Sequence, residues 1–403
     1  MNAVTIETIE AARSLLDPVM RRTPVIASRV LSERCGHDVV LKCENLQRTG
    51  SFKPRGAYYR IANLPAEART RGVVAASAGN HAQGVAWAAT ELGIASTVFM
   101  PTGASLPKIV ATKAYGAEVR LVGDTIDDAL LAAQEFEAET GATLIHPFDH
   151  PDIVAGQATV GLEILDQVPD VGTIVVPMGG GGLAAGIASA VAALRPDVRI
   201  VGVQAEQAAA WPRSLEAGEP VPLAAMSTIA DGIAVGRPGA VPFGPVSRYV
   251  DEIVTVGEDS LARAVVLCLE RAKLVVEPAG AAAVAALAGG ELDVRGRVCA
   301  VLSGGNVDPL LLTHLVTHGL RAGGRYLDVT VTIPDLPGGL VAVLEVVRDA
   351  GASVRDVVHS RTGRGLGIDE VDVLLSLETR GAEHRGEVLA ALAESGYSAE
   401  VRA

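Results

Sequence analysis

The stretch Ser51-Phe52-Lys53-Pro54-Arg55-Gly56 places a lysine between an aromatic residue and a proline. Proline fixes its own φ and disfavours helical backbone at the residue before it, so we expect Lys53 on extended backbone with its amine held in a defined direction. The alternative is a solvated lysine in front of a helix that starts at Pro54, because proline suits a first helical turn. Glycine- and serine-rich stretches further along the chain favour a functional lysine.

Length and composition bound the class of protein. The chain has 403 residues, which suits two or three domains, and 49% of them are apolar, enough for a large core. The formal charge of −13 argues against nucleic acid and against an anionic membrane surface as partners. The four cysteines form no CxxC pair and have no zinc-ligand spacing, which favours reduced thiols in a cytoplasmic protein. The first ten residues do not have the pattern of a signal peptide.

Short apolar runs alternate with helical patterns from residue 39 to about residue 320. The predicted strands are 39–42, 73–76, 97–100, 118–122, 173–176, 200–203 and 298–302, and the predicted helices include 80–92, 106–115 and 125–139. This alternation predicts an α/β domain of two lobes, each a parallel sheet covered by helices, with a ligand between the lobes at the carboxyl ends of the strands. We assign it to residues 1–322, with a smaller lobe of about residues 40–145 inserted in the larger one.

Residues 173–194 carry no charge and could imitate a membrane span. Pro177 and four successive glycines interrupt the segment, so we expect a strand, a loop and a buried helix instead.

After a short linker at 321–324 the order of elements changes to strand 326–333, helix 340–350, strands 354–359 and 371–377, and helix 383–394. That is the split β-α-β order of a small ferredoxin-like α+β module over residues 325–403.

The four glycines Gly179 to Gly182 lie between an apolar strand and a helix. Glycines at such a turn expose backbone N–H groups, and the helix start adds the positive end of its dipole, which favours a phosphate. The turn lacks the GK[ST] of a P-loop and is not GxGxxG, so a nucleoside triphosphate or a dinucleotide is not expected. The alternative is a tight packing turn, but we judge four successive glycines to be more than packing requires.

Two further stretches each follow an apolar strand. Ser77-Ala78-Gly79-Asn80-His81 offer N–H groups, a hydroxyl and an amide to a second anion, with an ordinary helix cap as the alternative. Ser303-Gly304-Gly305-Asn306 offer a hydroxyl that could face a ring nitrogen, with an ordinary turn as the alternative. A reactive lysine, a phosphate cradle, a carboxylate cradle and a strand-end serine together describe a site for pyridoxal 5'-phosphate, in which the lysine forms a Schiff base with the cofactor's aldehyde.

In these four ordered stretches the sequence resembles the fold type II (tryptophan-synthase-β-like) pyridoxal enzymes, and among them the threonine dehydratases, over about residues 5–320. The resemblance implies that Lys53 holds the cofactor covalently, that Phe52 packs near its ring and that Asn80 bonds its 3′-oxygen. It implies that Ser303 faces the pyridine nitrogen. The implied phosphate-binding residues are Gly179, Gly180, Gly181, Gly182 and Leu183, and the implied substrate-binding residues are Ser77, Ala78, Gly79, Asn80 and His81.

A serine opposite the ring nitrogen is a neutral partner, which suits loss of a β-substituent over slow reprotonation. The resemblance implies β-elimination of water from L-threonine, and from L-serine, with Lys53 as the base and a 2-oxo acid and ammonia as products. This is a step of isoleucine biosynthesis or of threonine catabolism. One alternative is a dehydratase for another β-hydroxy amino acid, 3-hydroxyaspartate or serine. An apolar wall at Phe148 would favour the methyl group of threonine over the second carboxylate of 3-hydroxyaspartate. The other alternative is an inactive amino-acid-binding regulator.

Two differences from related serine racemases bear on the reaction and on the metal requirement that we expect. Those relatives have a serine where this chain has Ala78, and that serine is the acid on the ring face opposite the lysine. Alanine cannot donate a proton, so we expect dehydration to dominate over racemisation. They bind a divalent ion through acids in the region of residues 204–210, where Gln204 and Ala210 stand here, so no metal is expected. For His81 and His146 we expect structural roles.

The loop Ile333-Pro334-Asp335-Leu336-Pro337-Gly338-Gly339 resembles that of an ACT domain, an amino-acid-sensing module. The resemblance covers about residues 325–403 and implies an effector such as isoleucine or valine. A sensing site between paired modules implies a homo-oligomer, a dimer or a tetramer. The alternative is an oligomerisation module that binds nothing.

Overall fold

The structure is a computed structural model that describes residues 4–361 and 366–402. Its strands are β1 Val25–Ala27, β2 Val39–Lys42, β3 Val73–Ala76, β4 Ser96–Met100, β5 Glu118–Leu121, β6 Thr143–Leu144, β7 Val171–Pro177, β8 Arg199–Ala205, β9 Glu252–Val256, β10 Arg297–Val301, β11 Tyr326–Pro334, β12 Ser353–Ser360, β13 Glu370–Glu378 and β14 Ala399–Val401. Its α-helices are α1 Ile6–Leu16, α2 Arg29–Cys35, α3 Lys53–Ala62, α4 Ala66–Arg71, α5 Asn80–Glu91, α6 Leu106–Ala114, α7 Ile126–Thr140, α8 Pro151–Gln167, α9 Gly182–Leu194, α10 Trp211–Ala217, α11 Ala240–Tyr249, α12 Glu258–Leu267, α13 Pro278–Gly289, α14 Pro309–Ala322, α15 Gly339–Asp349 and α16 Ala382–Glu394.

The chain divides into two compact units, one up to Leu312 and one from Thr313. The first unit contains two sheets. The larger has the strand order β1-β2-β10-β7-β8-β9 and is parallel except for the β1–β2 pair. The smaller, β5-β4-β3-β6, is wholly parallel, and its strands lie between β2 and β7 in the sequence. The predicted α/β class, with parallel sheets covered by helices, is confirmed.

Burial on both faces explains why the central strands of the larger sheet are almost purely apolar. Apolar clusters lie on either side of it, one containing Val175 and Val203 and the other containing Ile174 and Val176. Alternate residues of the same strand therefore enter different cores, as the two-residue period of a strand requires. The uncharged segment 173–194 becomes β7, the glycine turn and α9, and among the described residues no helix is long and apolar enough to cross a bilayer.

The structure differs from the sequence prediction at Lys53. The residue is the first of α3, with Pro54 second, so the expected extended backbone is wrong. The first four N–H groups of a helix have no partner within the helix, so a proline there costs no hydrogen bond and its fixed φ suits the turn. Lys53 is also only partly exposed, which removes the alternative of a solvated lysine.

The second unit is an antiparallel sheet with the strand order β12-β13-β11-β14. In chain order the elements run β11-α15-β12-β13-α16-β14, the split β-α-β arrangement predicted for this region. Alternate residues of β11 and β13, such as Val329 and Val373, are buried in one core with Val343 of α15 and Val388 of α16. The helices therefore cover one face of the sheet.

Candidate active site

The four predicted stretches converge on one cavity, and two of them lie side by side because β7 and β10 pair in parallel and end at the same edge of the larger sheet. Residues 77–79 follow β3, residues 178–181 follow β7 and residues 302–306 follow β10, while Lys53 begins α3. Together they line one cavity of about 990 Å³. The cavity wall includes every residue that the sequence nominated: Phe52, Lys53, Ser77, Ala78, Gly79, Asn80, His81, Gly179, Gly180, Gly181, Gly182, Leu183 and Ser303.

The two residues before Lys53 pair with the residues that follow β10. Ser51 forms a β-bridge with Gly304, and the Phe52 N–H donates to the Ser303 carbonyl at 3.1 Å. Gly84 of α5 approaches so closely that a Cβ added there would lie 3.2 Å from Lys53 Cβ. These contacts fix the start of α3 on both sides, so the lysine and Ser303 are held in one wall of the cavity.

The Lys53 amine lies in a poorly solvated position. Its Nζ donates to the Pro147 carbonyl at 3.0 Å and lies 5.1 Å from the centroid of the Phe52 ring. Burial lowers the pKa of Lys53 from 10.5 to about 8, against the opposing attraction of Glu277. The amine is therefore uncharged in a far larger fraction of molecules near neutral pH than an exposed lysine would be.

Packing accounts for each glycine of the turn. An added Cβ would lie 3.0 Å from Ile233 Cα at Gly179, 2.5 Å from the Phe148 ring at Gly180 and 2.3 Å from Trp211 Cζ2 at Gly181. At Gly182 it would lie 2.9 Å from Phe148 Cβ, and Gly181 has a φ of +97°. The expectation that four glycines exceed the needs of packing is therefore wrong, because aromatic rings and neighbouring backbone close on the turn from both sides.

The same close packing leaves the backbone of the turn on the cavity wall. The first intrahelical bond of α9 runs from the Ala185 N–H to the Gly181 carbonyl, so the N–H groups before Ala185 have no partner within the helix. Unpaired N–H groups at a helix start favour an anion. The turn can thus serve packing and phosphate binding at once.

Asn80 is held by two partners that the sequence analysis did not bring together. Its Nδ2 donates to Glu277 Oε1 at 2.5 Å, and its Oδ1 accepts from Asn306 Nδ2 at 2.7 Å. Glu277 precedes α13, is 3% exposed and lines the cavity. Burial, reinforced by Asp231, raises the pKa of Glu277 to about 7. No local pattern indicated Glu277, since its partner Asn80 is 197 residues away in the chain.

Both histidines near the lysine are engaged in the loop that follows β6. His81 Nε2 lies 2.7 Å from the Ile145 carbonyl, and burial together with the nearby Lys53 lowers the His81 pKa to about 3. The ring is therefore neutral, with Nε2–H as donor. His146 Nδ1 accepts the N–H groups of Phe148 and Asp149, so it orders the loop that carries the Pro147 carbonyl.

The mouth of the cavity carries charges from both lobes. Lys108 of α6 pairs with Asp231 of the larger lobe. Asp149 Oδ1 accepts the Val241 N–H at 2.7 Å, and the Phe148 ring makes an edge contact with His146.

In the region of residues 204–210, Gln204 is buried and bonds Trp211 N–H and the Ala208 carbonyl. Within the described residues no three His, Cys, Asp or Glu side chains form a cluster suited to a metal ion.

The residues of the cavity fit a phosphorylated pyridine aldehyde. An amine with a lowered pKa can join to an aldehyde, and the start of α9 offers N–H groups to a phosphate. The Ser303 hydroxyl and the Asn80 amide lie on the same cavity wall and offer hydrogen bonds to polar atoms of a ring. The residue expected at the ring nitrogen is the neutral Ser303 and not a carboxylate.

Comparisons with known proteins agree with that fit. A family model described as pyridoxal-phosphate dependent enzyme matches residues 16–304. The chain is 46% identical over 394 residues to a protein named L-threonine ammonia-lyase from Geobacter sulfurreducens, and the match covers 98% of each chain. Among solved structures, maize serine racemase has a TM-score of 0.75 at 34% identity, covering 79% of this chain and 99% of that one.

A processed threonine deaminase isoform 2 from Solanum lycopersicum has a TM-score of 0.74 at 35% identity, covering 77% of this chain and 87% of that one. The chain belongs to the pyridoxal-phosphate-dependent enzyme family. The family resemblance seen in the four sequence stretches is thereby confirmed. Pyridoxal 5'-phosphate is the cofactor of this enzyme.

Proposed function

We propose that this chain is an L-threonine ammonia-lyase, which removes water from L-threonine to give 2-oxobutanoate and ammonia and acts on L-serine in the same way. The observation that carries the proposal is the partly buried Lys53 amine in one cavity with the glycine turn and with Ser77 to His81. The names of the relatives, L-threonine ammonia-lyase and threonine deaminase, support the same reaction.

Residue roles follow from position and chemistry. The bound cofactor supplies an electron sink for the charge left when the substrate loses its α-proton. Lys53 holds the cofactor through its amine and, once released, takes that proton, for which a pKa of about 8 is well suited. Gly179 to Gly182 and Leu183 would donate to the phosphate, and Phe52 would pack against the ring. Asn80 would donate to its 3′-oxygen, and Ser303 would face its nitrogen.

The substrate carboxylate binds at the start of α5. Its N–H groups and the Ser77 hydroxyl lie on the cavity wall, and the Ser77 Oγ already accepts the Gly79 N–H at 3.1 Å. The wall also carries the Phe148 ring and the Asp149 carboxylate. An apolar ring beside an acid favours a methyl and repels a second carboxylate, so threonine is preferred to 3-hydroxyaspartate.

Ala78 separates this enzyme from a racemase of similar fold. It lies on the cavity wall and its methyl group has no proton to give to the substrate. Racemisation needs a proton donor on the face opposite the lysine. Elimination needs a base for the α-proton, which Lys53 supplies, and a proton for the departing hydroxyl, but no donor to the α-carbon on the Ala78 side.

A substrate panel with detection of 2-oxo acids tests the proposal. We expect turnover of L-threonine and L-serine, little turnover of 3-hydroxyaspartate, and loss of activity together with the visible absorption band of the lysine-bound cofactor in Lys53→Ala. Lys113→Ala, on the outer surface of α6, is the matched control and should leave both unchanged. A retained band without turnover of any hydroxy amino acid would instead support an amino-acid-binding regulator.

For the second unit we propose a regulatory role. Its β-α-β-β-α-β order and the loop 333–339 between β11 and α15 support an ACT-like module that binds an amino acid and pairs with a second copy. Effector action requires binding that differs between two enzyme states. Titration of isoleucine and valine against the rate of the full chain tests this, and a flat response to every amino acid would discard it.

A further inference from the structure

Asn80 has few free hydrogen-bonding positions left for a ligand. An asparagine amide has two N–H donors and one carbonyl oxygen. Glu277 Oε1 takes one donor at 2.5 Å, and Asn306 Nδ2 donates to the carbonyl oxygen at 2.7 Å. One N–H therefore remains for the cavity that Asn80 lines.

The two partners also fix which way the amide faces. Above its pKa of about 7 Glu277 is a carboxylate and can only accept from Asn80, so it selects the nitrogen end. Asn306 Nδ2 can only donate, so it selects the oxygen end. Asn306 is itself held by a bond from Nδ2 to the Thr49 carbonyl at 2.6 Å. A rotated amide would place two donors, or two acceptors, against each other.

Glu277 is rigidly placed for this contact. Its N–H donates to the Gly304 carbonyl at 3.1 Å, and an added Cβ at Gly304 would lie 2.1 Å from Glu277 Oε1. The glutamate therefore packs directly on the backbone that follows Ser303. A glycine at position 304 is required for the carboxylate to reach Asn80.

We propose that Glu277 is a positioning residue of this active site, which accepts a hydrogen bond from Asn80 and so presents the remaining Asn80 N–H to the 3′-oxygen of the cofactor. The inference rests on the proposed function, since it assumes that Asn80 binds that oxygen. It assigns to Glu277 the role of acceptor and no contact with the substrate. An acceptor other than a carboxylate at this position should therefore preserve the effect.

Cofactor affinity of the apoprotein measures this role without turnover. Pyridoxal 5'-phosphate is titrated into apoprotein while the fluorescence of Trp211, which packs on Gly181, is followed. Glu277→Ala and Glu277→Met both remove the acceptor, and the methionine keeps the buried volume. Because the Asn80 N–H loses its buried acceptor in both variants, we expect the cofactor Kd to rise about tenfold in each.

Two further variants distinguish positioning from general damage. Glu277→Gln keeps a carbonyl acceptor and should restore the Kd to within about threefold of the wild-type value. Asn80→Ala should raise the Kd, and adding Glu277→Ala to it should raise the Kd no further, because the two residues act as one. Glu206→Ala, at an exposed glutamate, is the control, and thermal unfolding of each apoprotein checks that it folds.

The outcomes separate the inference from the proposed function. A wild-type apoprotein that binds no pyridoxal phosphate would overturn both. Normal binding and turnover by wild type, with Kd values of Glu277→Ala and Glu277→Met within threefold of it, would overturn the positioning role alone. Losses that multiply in the Asn80→Ala, Glu277→Ala double variant would overturn it as well.

Discussion

Lys53 can join to an aldehyde or accept a proton only while its amine is uncharged. Its surroundings favour that form, since burial removes the water that would solvate the charged amine. Only Glu277 opposes this by attraction. Both roles proposed for Lys53, covalent attachment and general-base chemistry, depend on this uncharged form.

The pH dependence of Lys53 reactivity follows from its pKa of about 8. In apoprotein the rate of adduct formation with a simple aldehyde, trapped by reduction, should rise with pH and level off above about 8. An exposed lysine would keep gaining reactivity to about pH 10.4. Tandem mass spectrometry of the Lys53 peptide measures the profile, and exposed Lys273 in the same digest serves as reference. A Lys53 midpoint equal to that of Lys273 would contradict the lowered pKa.

At the scale of elements, the start of α3 depends on a buried group of four charges. Arg55 bonds Glu44 through two nitrogens at 2.8 and 2.9 Å and Glu163 of α8 at 2.7 Å, while Lys42 of β2 pairs with the other Glu163 oxygen. Two cations and two carboxylates balance, which removes an uncompensated buried charge. The group ties α3 to β2 and α8 close behind the catalytic lysine.

Removal of one carboxylate from this group should be costly. Glu163→Gln leaves Lys42 and Arg55 with a single anionic partner, so the free energy of unfolding should fall by about 3 kcal/mol. Urea unfolding of the apoprotein measures the change. Asp197→Asn, which breaks an exposed pair with Arg195, is the control and should not move the midpoint. An equal effect of the two substitutions would show that burial does not matter here.

The glycine turn gives a second test at this scale. Gly181→Ala places a methyl group against the Trp211 ring at a φ of +97°, so it should displace the turn and raise the cofactor Kd by more than about tenfold. Gly218→Ala is the control, because its φ of +75° imposes similar backbone strain with no atom within 4 Å. Unchanged cofactor binding in Gly181→Ala would argue that phosphate does not bind at this turn.

Local patterns predicted more of this molecule than long-range ones did. Strands β2 and β3 were found with the predicted bounds. Three ligand stretches were recognised because each follows an apolar strand, and the fourth was recognised because its lysine lies between an aromatic residue and a proline. Strands β1, β6, β9 and β14 were missed, and three of these four have only two or three residues, too few to show periodicity. Helix α13 was missed because it is buried on nearly every side and shows no polar face. Glu277 and the four-charge group depend on distant partners, which no local pattern reveals.

At the scale of the whole molecule, the residues of the cofactor cavity and the apolar core of the second unit lie in separate parts of the chain. Every residue that lines the cavity lies at or before Ser303, and the core of β11, β13, α15 and α16 lies between residues 327 and 399. Helix α14 contains the division between the two units. All residues of the cavity thus belong to the first unit, which is consistent with the regulatory role proposed for the second.

Truncation after Ala322 tests this division. The shortened chain should bind pyridoxal phosphate and turn over L-threonine within about threefold of the full chain, since each unit buries its own apolar core. Any response to isoleucine or valine should be lost, and light scattering should report a smaller assembly. Loss of cofactor binding in a chain that still folds, as judged by circular dichroism, would contradict separate roles.

The most direct measurement of the central claim is borohydride reduction of the protein with its cofactor, followed by digestion and mass spectrometry. Reduction makes the lysine–cofactor link permanent, so the account predicts one phosphopyridoxyl group, on Lys53, with Lys42 and Lys108 unmodified. A phosphopyridoxyl group on another lysine, or none on a protein that turns over L-threonine, would contradict it.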